Sequence, residues 1–157
     1  MNLHLPTSHA HASLPAVAEP PALAIQLGYA GLIPFVVGTA LVWLVYPELQ
    51  PWVALGLSAY AAAIVSFLGG VHWGLAMRAG QPGPRSFGWA MVPPLGAWLA
   101  MVMPPFAGLA LLGALLVTCY VVARRLLQAQ GLGHWLTLRF RLSMIAAFCC
   151  FLGAAGT

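Results

Sequence analysis

One side chain in this sequence combines a titratable ring with an apolar setting. It is His72, in the run Ser66-Phe67-Leu68-Gly69-Gly70-Val71-His72-Trp73-Gly74. An ionisable residue inside a membrane helix is a functional position by default. The competing role is structural: His72 lies within about two helical turns of Arg78 and could hydrogen-bond toward the interface. Groups at a similar depth are Gln26, Tyr29, Trp73, Arg139 and Arg141, with Tyr120 a turn inside Arg124. Together with His72 they form a candidate polar binding pocket near one membrane face. An aromatic belt with snorkelling arginines is the alternative. It accounts for Trp52, Trp89 and Trp135, but not for His72 or Gln26.

The other reactive residue types do not assemble into a site. Glu19 and Glu48 are the only acids, and neither lies within an apolar run. A carboxylate proton relay is therefore not expected. Ser66 is six residues from His72 and far around a helix, which is poor geometry for a hydrolase pair. HExxH, GxSxG and Walker-type loops are absent. Cys119, Cys149 and Cys150 have no framework or CxxC spacing and read as small buried residues. His4, His9 and His11 could hold a metal weakly, but three histidines on a tail read as solvated residues. The sequence predicts no catalytic residue, no metal and no cofactor.

Two further constellations are structural. Ala62, Ser66, Gly70 and Gly74 recur every fourth residue, which lays a small-residue stripe along one helix face. In lipid such stripes permit close helix contact. The spacing predicts a helix–helix seam, with another helix of the chain or a second copy as partner. His72 faces the opposite way, so the helix is expected to be sandwiched. Pro34, Pro93 and Pro94 interrupt apolar runs. Each proline removes an N–H and displaces the carbonyl four residues earlier. Kinks are predicted there, static or lining a cavity.

The elements that position these groups follow from composition. Apolar residues make up 62% of the chain and charged residues 5%, with net charge +4 from six arginines, no lysine and two acids. A soluble domain carries about 25% charge, so the surface is one that lipid accepts. Nucleic-acid binding needs a clustered basic face on a soluble fold and is not expected. The expected fold is all-α, a polytopic bundle of about five transmembrane helices at 22–46, 52–77, 86–103, 106–123 and 140–156. Residues 1–21 read as a disordered tail, with 22–157 a single transmembrane domain. Leu126 to Leu138 reads as a polar, interfacial segment. The fifth span is the shortest, and the alternative is four spans plus a half-inserted tail. All arginines fall at or beside alternate connections on the N-terminal side, while Glu48 falls on the other. The positive-inside rule then puts the N-terminus in the cytoplasm and the C-terminus outside.

The run Ser66 to Gly74 resembles the central motif of the domain of unknown function 3429 family, bacterial relatives of transmembrane protein 69. Gly28-Tyr29-Ala30-Gly31-Leu32-Ile33-Pro34-Phe35 is similar to its first-helix motif. Val92-Pro93 with Trp98 is similar to its third, and Leu138-Arg139-Phe140-Arg141-Leu142-Ser143 to the start of its last helix. The resemblance covers about residues 24–155. It departs at Ala123-Arg124, where the family pattern often carries an acid. It implies a multi-pass protein of a bacterial inner membrane or, in eukaryotes, a mitochondrial one, and places Pro34, His72, Trp73, Pro93 and Arg139 on motif positions. It implies no particular activity.

The expected function is a non-enzymatic assembly, scaffold or partner-binding component. Its partners would be the lipid bilayer and a membrane protein or second copy at the small-residue seam. The alternative is a small-solute or ion transporter with a polar pocket around His72. A water-filled cavity reaching His72 would favour the transporter. A dry core with an exposed apolar groove would favour the first.

Overall fold

The structure, a computed structural model, describes residues 20–78, 83–129 and 133–157. Within these, the side chains of residues 84–86, 129 and 134 are outside the description. The expected tail, with His4, His9, His11 and Glu19, and the loop 79–82 lie outside the described residues.

The described residues are helical, without strands: α1 (Ala22–Ala30), α2 (Ile33–Leu44), α3 (Gln50–Arg78), α4 (Pro84–Val102), α5 (Pro105–Ala129) and α6 (Leu136–Ala155), the last entered through a 3-10 turn at Gly133–Trp135. Among the described residues, four stretches are long and apolar enough to cross a membrane: Ala22–Leu44, Gln50–Arg78, Pro105–Gln128 and Leu136–Ala155. A fifth, Phe87–Val102, is apolar but shorter. Lipid offers no hydrogen bonds, so a spanning backbone must satisfy itself, as helices do.

Three expectations are corrected. The first span is two helices, not one kinked helix. The break falls at Gly31–Leu32, and Pro34 sits in the first turn of α2. There a missing N–H costs no bond within the helix, because the carbonyl four residues earlier, that of Ala30, lies outside α2. The segment after Arg124-Arg125 is not a separate interfacial helix. α5 continues through Ala129, and α6 begins at Leu136, so Arg139 and Arg141 lie inside it. The last span is then 20 residues, about the 30 Å length a crossing needs.

Directions follow from contacts. α2 is antiparallel to α3, with Phe35 edge-on to Tyr60 at 5.2 Å. α3 is antiparallel to α4, with Trp73 packed on Phe87 and Gly69 against Ala90 and Pro94. α5 is antiparallel to α6, with Gly113 against Phe151 and Tyr120 beside Phe140. α6 runs parallel to α1 and α2, pairing Gly28 with Leu142 and Thr39 with Cys149. The end of α3, the end of α5 and the start of α6 therefore share one end of the bundle, with Arg78, Arg124, Arg125, Arg139 and Arg141. Glu48 lies at the other.

The core is built from small and medium residues facing the axis, among them Ala54, Leu57, Ala61 and Val65 of α3, Leu109, Leu112 and Leu116 of α5, and Ala146 and Cys150 of α6. Far from the arginines, Gln50 Nε2 donates to the carbonyls of Val42 (3.2 Å) and Gly156 (2.6 Å). Trp43 Nε1 donates to Leu152 O at 3.1 Å. These bonds clip together the ends of α2 and α6 and the start of α3.

Candidate functional site: an apolar cavity at the arginine-bearing end

Helix α3 sets the geometry because it packs on α2, α4, α5 and α6. Its buried residues are Ala54, Leu57, Ser58, Ala61, Val65, Gly69, His72 and Ala76. Most follow three- and four-residue steps, one face of a helix. The working seam thus runs through Gly69, not Gly70. A Cβ on Gly69 would stand 2.7 Å from Pro94 Cδ and 2.8 Å from the carbonyl oxygen of Ala90. Ala90 lies four residues before Pro94, so this carbonyl is one that the proline displaces. Gly69 gives it room and lets the proline-bearing stretch of α4 close on α3.

The stripe Ala62, Ser66, Gly70 and Gly74 lies at the edge of this face and beyond it. Ala62 and Ser66 are half-buried, while Gly70 and Gly74 are exposed with open space where a Cβ would stand. Among the described residues the stripe is not the seam, and no described helix covers Gly70 or Gly74. Adjacent positions differ by about 100° in direction, which a four-residue period alone does not resolve.

His72 is buried at 3% exposure, on the protein-facing side. Its Nδ1–H donates to Leu68 O at 2.7 Å, one turn earlier. Nε2 is left as a buried acceptor without a partner among the described residues, as is the Trp89 Nε1 donor. Trp89 is half-buried rather than part of an exposed belt.

The remaining predicted pocket residues do not converge on His72. Gln26, Tyr29 and Arg141 are exposed, and Trp73 is 40% exposed beside Phe87. Arg139 is half-buried and within electrostatic reach of His72 and Cys119. Of the predicted pocket residues, it lines a cavity between α1, α2, α3 and α6, and the others do not line that cavity.

That cavity holds about 500 Å³. Gly28, Gly31 and Phe35 line it from α1, α2 and the break between them; Phe67, Leu68 and Val71 line it from α3. Leu138, Arg139, Leu142 and Ser143 line it from α6, with Leu116 of α5 behind and Trp135 at one end. Leu27 and Phe67, 64% and 66% exposed, stand on its rim, so it opens at the side of the bundle. Arg139 is the only charged residue among the described residues that line it. His72 is not among the lining residues, since Leu68 and Val71 form the wall on its helix. The arrangement can take up an apolar group and offers a guanidinium at the wet end. Among the described residues no cluster of His, Cys, Asp or Glu could hold a metal.

Sequence reasoning missed Gly69, Thr39 and Gln50. The tandem glycines and the two polar residues inside or beside apolar runs were the available signals. Thr39 Oγ1 donates to Cys149 O at 3.0 Å, buried between α2 and α6.

Comparison with known proteins agrees with the resemblance carried by the motifs. Transmembrane protein 69 of Xenopus tropicalis is 42% identical over 95 residues, which cover 55% of this chain and 35% of that protein. The chain thus matches only about a third of that relative's length. No solved structure matches. The family model described as protein of unknown function (DUF3429) matches residues 20–155, so the chain belongs to that family.

Proposed function

We propose that the chain is a non-enzymatic component of a bacterial inner membrane that binds a hydrophobic partner in an assembly or scaffold role. The observation that carries this reading is the side-opening cavity, lined mainly by apolar residues with Arg139, Ser143 and Trp135 as its polar-bearing described side chains, and with His72 not among its lining residues and buried in the core. A route for a polar solute needs polar groups along its length, and this wall does not supply them. The prolines support the same reading. Pro34 starts a helix, and Pro93 and Pro94 pack on α3 rather than framing a channel. The arginine-bearing end belongs in the cytoplasm by the positive-inside rule.

The test is photo-crosslinking in intact membranes from Phe67, on the cavity rim, and from Trp98, exposed on α4. The expected result is a defined adduct from position 67 and none from 98. Adducts from neither, together with solute flux in proteoliposomes that His72→Ala abolishes, would reverse the assignment in favour of transport.

A further inference from the structure

We infer that the cavity between α1, α2, α3 and α6 holds one acyl chain of an anionic phospholipid, with the lipid phosphate paired to Arg139. The inference rests on the partner-binding reading above and names the partner. Three observations carry it.

The first is shape. Along α6 the lining runs from Leu138 to Ala146, about 12 Å at the helical rise. That approaches the depth of one leaflet, about half of a 30 Å hydrocarbon core. A groove of about 500 Å³ and that length suits a single extended chain.

The second is access. Leu27 and Phe67 stand exposed on the rim, so the opening faces the place where lipid tails lie. An acyl chain enters sideways without leaving the hydrocarbon phase.

The third is charge. Arg139 is half-buried in an apolar wall, one turn into α6 at the arginine-bearing end. No acid of the described chain can pair with it: Glu48, the only one, is at the opposite end. A guanidinium always carries its charge, and its planar fork matches phosphate. Basic sites between helices at the cytoplasmic face bind anionic lipid headgroups by this chemistry. Phosphate at the interface with the tail directed inward meets both requirements at once.

The experiment is native mass spectrometry of the full chain. It is released from nanodiscs containing phosphatidylglycerol and phosphatidylcholine in equal amounts, with matched acyl chains. The wild type is expected to retain one phosphatidylglycerol, at least tenfold over phosphatidylcholine. Arg139→Gln should abolish that preference, Arg139→Lys should keep part of it, and Arg141→Gln should leave it unchanged, because Arg141 does not line the cavity. Val71→Phe, which fills the cavity with apolar bulk, should lose both lipids while the protein stays folded. Equal retention of both lipids, or a preference that survives Arg139→Gln in folded protein, would overturn the inference. So would lipid retention only after removal of residues 1–19, which would show the chain's own tail in the site. A protein adduct from Phe67 with no retained lipid would overturn the lipid inference and leave the partner-binding function standing. Neither protein nor lipid at Phe67 would remove both.

Discussion

Adjacent glycines on a helix point about 100° apart, and in α3 that angle separates two roles. Gly69 faces the carbonyl of Ala90 and the ring of Pro94, whereas Gly70 faces open space. Gly69→Leu should therefore lower stability by about 1–3 kcal/mol or more, since backbone and a proline ring cannot yield. Gly70→Leu should stay within about 0.5 kcal/mol of wild type. Thermal unfolding in one detergent checks both. The orientation of His72 was legible, because an ionisable ring inside an apolar run must face protein. Its partner was not. The sequence offered Gln26, Tyr29 and the arginines, while the ring bonds its own helix at Leu68. A carbonyl one turn away needs no second helix to be positioned, and no spacing rule announces it.

At the level of elements, run length predicted the spans well and their ends poorly. Apolar length is fixed by the bilayer, so each span showed itself. Helix ends depend on local capping and on neighbours. α5 therefore runs past Arg124-Arg125, since arginine is a good helix former and snorkels to water. Pro34 was legible as an interruption but not as a start. The distinction lies in the turn at Gly31–Leu32, where Gly31 O accepts from the Tyr60 hydroxyl of α3 at 2.9 Å. The bonds that hold α2 to α6 came from residues with no pattern. Thr39→Val removes the bond to Cys149 at nearly constant volume and should cost about 0.6 kcal/mol, the average for such bonds in membranes. Gln50→Leu removes two bonds to helix-end carbonyls and should cost about 1–2 kcal/mol. Hydrogen exchange should also rise at the end of α6 in that variant and stay unchanged at its start.

For the whole molecule, one asymmetry organises the rest. Every described arginine lies at one end of the bundle and Glu48 at the other. The cavity opens beside the charged end, and the hydrogen-bonded clip closes the opposite end. That division requires an odd number of crossings, with α4, the shortest apolar span, as a full one. The direct measurement is labelling with a membrane-impermeant maleimide in sealed vesicles of known orientation. Arg78→Cys, Arg125→Cys, Arg141→Cys and Glu48→Cys are each made alone in a chain whose three buried cysteines are replaced by alanine. Labelling of positions 78, 125 and 141 from the cytoplasmic side, and of position 48 from the other, is the predicted result. Arginine positions reached from both sides, or position 48 reached together with them, would contradict the five-crossing bundle and everything placed upon it.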